Sequence, residues 1–293
     1  MGTPTAEVSV TEQLARHLLR SQHPDLADLP IVELASGWDN AMFRLGERLV
    51  LRFPRRLLAA KLVENEQRWL PVLSRQLPLP VPAPVRIGKA QDAFPWSWSV
   101  TPWIAGETAD LEPPDADQGE VLASFFNALH QPAPPDAPHN AYRGVPLVQR
   151  VETFEDRLAK LAGRTELITP QVLLLWRAAL QAPQDIAPTW IHGDPHPRNV
   201  LVVAGAICGV IDWGDMARGD RAADLAAVWM LLPERRARQR AMAALSSVSA
   251  ATWSRARGWA VFYAIVLLHA GLADDARMTA IAHRTLERLL DGP

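Results

Sequence analysis

Cysteine is almost absent: Cys208 stands alone among 293 residues. That excludes an internal disulfide and any metal centre built from thiolates, and it fits a reducing cytoplasm. Neither sign of charge dominates. Thirty Lys and Arg face 32 Asp and Glu, a formal net charge of −2, which gives no bulk footprint for nucleic acid or an anionic membrane. No hydrophobic run is long. The longest nearly apolar stretch, Trp259 to Leu268, falls short of the roughly 20 residues a bilayer span needs and reads as a buried helix. The opening MGTPTAEVSVTEQL lacks a basic stretch followed by an apolar one, so it does not read as a signal peptide. No internal repeat is visible. A soluble, cytoplasmic protein without a nucleic-acid or membrane partner is expected.

What is present is enough apolar material, 48% of the chain, for a core larger than one small domain requires. Ser9 and Glu12 have capping-box spacing before a helical pattern through Leu14, Leu18 and Leu19, which His23-Pro24 should end. IVELASGWDNAMFRLGERLVLRFP, from Ile31, reads as three strands separated by two turns. A helical stretch over 57–77 follows, interrupted or shifted at Pro71. VPAPVRIG and WSWSVTPWIAG are two further strand candidates. Proline then concentrates between Glu112 and Pro146, around one helix-like segment, EVLASFFNALH. From Val151 onward helical patterning dominates, except for one island: NVLVV, Ala204-Gly205, AICGVID, which has the form of a hairpin. The expected fold is α+β and bilobal, a small β-rich lobe over 1–105 and a larger, mainly helical lobe over 106–293.

The chemistry concentrates in HGDPHPRNVLV, His192 to Val202. Two prolines inside the polar cluster forbid an ordinary helix, so it is a stiffened loop. Asp194 and Asn199 are five apart, and Asp212 ends the hairpin that begins there. If the hairpin folds back on itself, Asp212 returns toward Asn199, and two oxygen ligands without a thiolate suit a hard cation such as Mg²⁺. Asp194 is then left to accept a proton from a hydroxyl. This is the arrangement of a protein-kinase catalytic loop and its following metal aspartate.

HGDPHPRN followed by GVIDWGD and GDRAADLA resembles the aminoglycoside phosphotransferase family of small-molecule kinases, which share the protein-kinase-like fold. The likeness runs from about Ile31 to Leu232. It implies Asp194 as the catalytic aspartate, Asn199 and Asp212 as holders of Mg²⁺ against nucleotide phosphates, Asp220 as a helix cap and Asp224 as a brace for the loop. It further implies that the first lobe binds ATP or GTP. Arg52, on the third strand, stands where the family usually has Lys, and Arg is not interchangeable with it. Glu66 is preferred over Glu64 as its carboxylate partner, and Lys61 falls too late. SGWDNAMF carries one glycine, with Gly37 and Asn40 as the positions of close backbone approach. TPWIAG resembles the crossing strand that meets adenine, with the Pro102 carbonyl accepting and the Ile104 amide donating.

For Arg198 two readings stand side by side: a contact to the transferred phosphoryl group, or a surface arginine. His192 reads as a structural histidine. His196 lacks the companions of a metallohydrolase site. Trp213, Trp96 and Trp98 read as packing, with Trp103 at the border of the pocket. Asp274, Asp275 and Glu287 read as a solvated helix face, with a cleft for a cationic substrate as the sharper alternative. The function implied is transfer of a γ-phosphoryl group to a hydroxyl of a small molecule, foremost an antibiotic such as an aminoglycoside or macrolide, inactivated as a means of resistance. The alternatives are a sugar, choline or homoserine type metabolite kinase, a nucleotide-binding pseudokinase, and, weakest, a metallohydrolase. Acceptor contacts are expected from Tyr142 to Thr153 and from Trp253 to His269, which carry no diagnostic motif.

Overall fold

The structure, a computed structural model, describes residues 5–34, 37–271 and 275–292. These divide into two compact units. One lies within Met1–Gln76, Pro80–Ala105 and Ile211–Gly214, the other within Leu77–Leu79, Gly106–Val210 and Asp215–Pro293.

The first unit is built on a five-stranded antiparallel sheet in the order β1-β2-β3-β5-β4. Helix α1 (Glu12–Gln22) precedes β1 (Ile31–Glu33), β2 (Asn40–Leu45) and β3 (Leu49–Pro54); α2 (Leu57–Leu73), β4 (Arg86–Gly88) and β5 (Trp98–Pro102) follow. The N-cap of α1 is Thr11, not Ser9: its hydroxyl accepts from the Leu14 N–H at 3.3 Å, so Glu12 is the first helical residue. The His23 N–H closes the helix on Leu19 at 2.8 Å. Pro71 does not interrupt α2, which runs through it and ends two residues later. So near a C-terminus, a proline removes one backbone bond without splitting the helix.

Strand periodicity sorts β3 into two faces. Leu51 and Phe53 join Phe43, Leu45, Trp98 and Val100 in a core that Ala15, Leu18 and Leu19 of α1 also enter. Phe53 stacks on Trp98 with centroids 5.0 Å apart, a contact worth about 1 kcal/mol beyond area burial. Val50 and Arg52 take the other face. On α2 the buried positions include Ala59, Val63, Glu66 and Leu70, spacings of three and four that define one stripe. Glu66 therefore occupies an apolar helix face, which requires a buried partner.

The second unit contains β6 (Glu107–Thr108), α3 (Gln118–Leu129), α4 (Val151–Leu161), α5 (Pro170–Gln181), β7 (Thr189–Ile191), β8 (Val200–Val203), β9 (Ala206–Val210) and β10 (Ala217–Gly219). It is completed by α6 (Ala222–Leu225), α7 (Ala227–Leu231), α8 (Arg235–Ala244), α9 (Ala250–Gly271) and α10 (Ala276–Asp291). Helix α9 is the core element, with Trp259, Ala260, Val261, Phe262, Tyr263, Ala264 and Ile265 all buried. A helix buried on every side loses the usual amphipathic stripe, which is why the apolar run Trp259 to Leu268 is continuous.

The β8–β9 hairpin turns at Ala204 (φ 49°) and Gly205 (φ 76°), both left-handed as a tight two-residue hairpin turn demands. Strands β7 and β10 pair with each other, Ala217 opposite Ile191. This ladder was not expected from the sequence, because three-residue strands carry too little alternation to see. Among the described residues no helix is long and apolar enough to cross a membrane.

Candidate active site

In the first unit, Arg52 and Glu66 form a buried pair. Arg52 Nη2 lies 3.1 Å from Glu66 Oε1, and Nη1 donates to Oε2; the residues are 7% and 2% exposed. Two parallel bonds match guanidinium to carboxylate in a way a lysine could not. Burial, the largest influence, pulls the Arg52 pKa down, but the charges of Glu66, then Asp212, hold it above its ordinary value. Glu64 instead pairs with Lys61 at 3.2 Å on the solvent side.

Asp212 is exposed and sits at φ 61°, a left-handed conformation uncommon for a residue with a side chain and concentrated at functional positions. Trp213, fully buried, anchors the segment beside it. The Gly37 N–H bonds to the Asn40 carbonyl at 3.0 Å, closing the turn before β2. Arg55 Nη1 donates to the Gly37 carbonyl at 3.0 Å. Asn40 Oδ1 is buried without a hydrogen-bond partner. Ser36, in the same expected loop, lies outside the described residues.

At the end of β5 the Trp103 N–H donates to the Arg48 carbonyl at 2.7 Å. By the alternation of an antiparallel ladder, Pro102 then turns its carbonyl to the opposite edge. Ile104 follows, half-buried and outside any strand. Trp103 itself lies under the Arg44 guanidinium, 3.9 Å from its ring centroid.

The second unit holds the catalytic-loop motif. Its organising group is Asp224, fully buried. Its carboxylate accepts from the N–H groups of His192 at 2.7 Å and Gly193 at 2.8 Å, and faces His130 Nε2 at 3.1 Å. Gly193 has φ +90°, and a Cβ there would stand 2.5 Å from the Asp215 carbonyl oxygen. The H-G-D glycine thus answers both a left-handed backbone and a close approach. The Gly193 carbonyl accepts from the Tyr263 hydroxyl at 3.1 Å. His192 Nδ1 accepts from the Asp194 N–H at 3.2 Å, a structural role. Asn199 Nδ2 donates to the Asp194 carbonyl at 3.0 Å, which commits its nitrogen and orients the amide.

The Asp194 carboxylate lies on this fixed loop, its side chain 22% exposed. Arg143 Nη2 is 3.2 Å from its Oδ1, and His196 Nε2 is 3.6 Å from its Oδ2. Burial pushes the Asp194 pKa up most, yet Arg143, then His196 and His192, together hold it below the ordinary value. Arg143 also reaches Asp215 Oδ2 at 3.2 Å from Nε. Asn140 braces both, donating to Asp215 Oδ1 at 2.7 Å and accepting from the N–H groups of Tyr142 and Arg143. Sequence reasoning did not single out Arg143, Tyr263, Asn140 or His130, which belong to no motif. For Asp215 the only signal is the second aspartate of I-D-W-G-D.

Arg198 is engaged elsewhere. Its guanidinium lies 2.8 Å from Asp275 Oδ2, while Asp275 caps α10 through the N–H groups of Arg277 and Met278. Asp274 lies outside the described residues. Glu287, 60% exposed, pairs with His283 at 3.2 Å. Asp220 accepts from the Ala222 N–H at 3.1 Å, at the start of α6, and from Arg255 at 2.7 Å.

No curated protein matches the chain. Among solved structures, the GDP and kanamycin complex of APH(2'')-IIia aligns with a TM-score of 0.64 at 20% identity, covering 95% of this chain and 99% of that one. The gentamicin complex of APH(2'')-IIa gives 0.61 at 18%, with 98% of each chain covered. The macrolide 2'-phosphotransferase MphH from Brachybacterium faecium gives 0.56 at 21%, covering 97% and 99%. At such identities the likeness is one of fold: the expected α+β kinase-like fold, with a β-sheet N-terminal part and a helical C-terminal part. A sequence model described as the phosphotransferase enzyme family matches residues 30–259. With most of its length matched, the chain belongs to the phosphotransferase enzyme family.

Proposed function

We propose that the chain is a Mg²⁺-dependent kinase that transfers the γ-phosphoryl group of ATP or GTP to a hydroxyl of a small molecule. The observation that carries the reading is Asp194: a carboxylate paired on one oxygen with Arg143, on a loop clamped by Asp224. In the step proposed, the acceptor oxygen forms a bond to the γ-phosphorus as the bond to the β–γ bridging oxygen breaks. The nucleoside diphosphate leaves, and the hydroxyl proton passes to Asp194. Arg143 holds Oδ1 at 3.2 Å and His196 Nε2 stands 3.6 Å off Oδ2, beyond hydrogen-bond range, so Oδ2 is the oxygen that orients the hydroxyl. Positioning and electrostatics supply most of such catalysis.

Arg52, held by Glu66, serves the nucleotide phosphates, with Gly37 and Asn40 at the phosphate turn and Pro102 and Ile104 at the base. The donor chemistry of Asn199 and Asp212 fits Mg²⁺. Binding the Asp194 carbonyl through nitrogen leaves the Asn199 amide oxygen as its ligand atom, and Asp212 adds an exposed carboxylate, both hard oxygen donors. When bound, the cation supplies charge neutralisation for phosphate oxygens.

An antibiotic acceptor, inactivated by phosphorylation, is the reading supported by the kanamycin, gentamicin and macrolide named for the similar structures. A metabolite acceptor is the second, and one observation favours it: a guanidinium, Arg143, covers an oxygen of the proposed base. A cytoplasmic location accompanies either. The test is incubation with Mg²⁺ and ATP, then GTP, against hydroxyl-bearing antibiotics and metabolites, scored by a mass gain of one phosphoryl group. Asp194→Ala should abolish the gain and leave nucleotide affinity nearly intact, while Asp212→Ala should weaken Mg²⁺-nucleotide binding. Wild-type turnover in Asp194→Ala would sink the assignment.

A further inference from the structure

Arg143 stands beside Asp194 and Arg150 stands within reach of the charge of Arg143, and the two arginines are balanced differently. Arg143 has two carboxylates, Asp194 and Asp215, each 3.2 Å away, and its Cζ lies 5.2 Å from the centre of the Tyr263 ring. Arg150 ends the 3₁₀ turn Leu147–Arg150 that leads into α4. Its Cζ lies 5.1 Å from the Phe262 ring and 5.4 Å from the Tyr142 ring. Phe262 and Tyr263 are neighbours on α9, so both guanidinium groups rest on one stretch of that helix.

Among the described residues no carboxylate pairs with Arg150. Its Nε is buried without a hydrogen-bond partner. Burial first, then the like charge of Arg143, holds its pKa below the ordinary value. Ring faces attract a cation but accept no directional N–H bond of the strength a carboxylate gives. The same surface is open to solvent, with Tyr142 65% and Val148 67% exposed. A half-desolvated cation next to a second cation, on an accessible surface, is therefore short of an anion.

We propose that Arg150 binds an oxyanion, carboxylate or phosphate, carried by the acceptor. The acceptor is then a hydroxyl compound bearing negative charge rather than a polycation. An ammonium-rich acceptor docked against Arg150 would meet an uncompensated guanidinium, and like charge at a recognition surface is the usual means of rejecting a partner. This rests on the reading of Asp194 as the base of a hydroxyl kinase. The acceptor's oxyanion takes no part in bond making; it docks the molecule so that its hydroxyl meets Asp194.

Two measurements on the full chain separate this inference from that reading. The first is direct binding, by calorimetry or NMR titration, of gluconate, glucose 6-phosphate and inorganic phosphate to wild type and to Arg150→Met. Weakening of at least one oxyanion by roughly tenfold or more is expected, the scale of a lost charge-assisted bond, with the melting temperature and nucleotide affinity unchanged. The pattern across the three probes shows whether carboxylate or phosphate is preferred. Equal binding by the variant overturns the proposal. The second is turnover with Mg²⁺ and ATP or GTP on hydroxy acids, sugar phosphates, matched neutral polyols and kanamycin. Phosphoryl gain confined to the anionic members supports the inference; gain on kanamycin, or on neutral polyols equally well, overturns it while the kinase reading stands. Arg150-dependent oxyanion binding with no gain on any acceptor supports the anion site and counts against the kinase.

Discussion

Arg143 Nη2 lies 3.2 Å from Asp194 Oδ1, an ion pair placed on the carboxylate proposed as base. Against burial, which raises the Asp194 pKa most, Arg143 is the foremost lowering influence. The base therefore remains charged below the ordinary carboxylate pKa, and the acid limb of kcat/KM should lie there. In Arg143→Met burial persists without its main opponent, so the limb should move to higher pH. Folding gains from this ionisation above the pKa of the unfolded carboxylate and loses the gain as pH falls through the lower folded value. A pH–rate profile checks the shift; an unmoved acid limb in Arg143→Met would show that another group sets it.

Asp224 is the buried acceptor for two consecutive backbone N–H groups, those of His192 and Gly193. Asp224→Ala leaves both without a partner in a site closed to water, at a cost of about 3 kcal/mol or more. Asp224→Asn keeps one oxygen acceptor and should cost about 1–3 kcal/mol. Turnover should fall in both, because the loop that carries Asp194 loses its anchor. Urea denaturation beside kcat tests this, and full stability in Asp224→Ala would contradict the role.

The parts of this protein legible from sequence are those whose residues lie close together in the chain. The loop His192 to Asn199 and the hairpin to Asp212 are continuous; the Ala204-Gly205 turn sets the β8–β9 pairing as far as Val202 and Ile207, beyond which a bulge at Cys208 shifts the register by one residue. The sequence favours Glu66 over Glu64 only by its place in a string; in the structure Glu66 lies on the buried stripe of α2 and Glu64 faces solvent. Arg143 and Arg150 were not singled out, because proximity to Asp194 and Phe262 arises from tertiary packing across 51 and 112 positions. Arg198 shows the converse. By sequence it stands as one of two readings, a phosphoryl contact or a surface arginine, and in the structure its guanidinium pairs with a distant residue, Asp275, at the start of α10.

The Arg52–Glu66 pair allows structure and function to be separated. Glu66→Ala should cost about 3–5 kcal/mol, because it strands a buried guanidinium. Replacing both together, Arg52→Met with Glu66→Leu, fills the volume without charge and should recover most of that loss. If Arg52 serves the phosphates, the double variant should be nearly as stable as wild type and still bind ATP and GTP poorly. Denaturation and nucleotide titration on the three proteins decide it. Nucleotide binding restored along with stability would show that the pair is only a packing element.

Gly193 and Gly37 make a final, paired test, because the structure gives them opposite surroundings. An alanine Cβ at Gly193 meets the Asp215 carbonyl oxygen at 2.5 Å on a backbone with φ +90°, whereas at Gly37 the nearest atom is the Asn40 carbonyl oxygen at 3.8 Å. Backbone cannot withdraw as the tip of a side chain can, so Gly193→Ala should cost about 2 kcal/mol or more. It should also lower kcat, since the displaced residue lies between the Asp224 anchor and Asp194. Gly37→Ala should leave stability within about 0.5 kcal/mol of wild type. Its effect, if phosphates approach the backbone there, should appear as a raised KM for the nucleotide with kcat for the acceptor step preserved. Thermal melts and steady-state kinetics on both variants give stability, kcat and nucleotide KM for each. The pattern argued for is a stability and kcat loss at Gly193 and a nucleotide KM change alone at Gly37; an unchanged nucleotide KM in Gly37→Ala would remove that turn from the phosphate site.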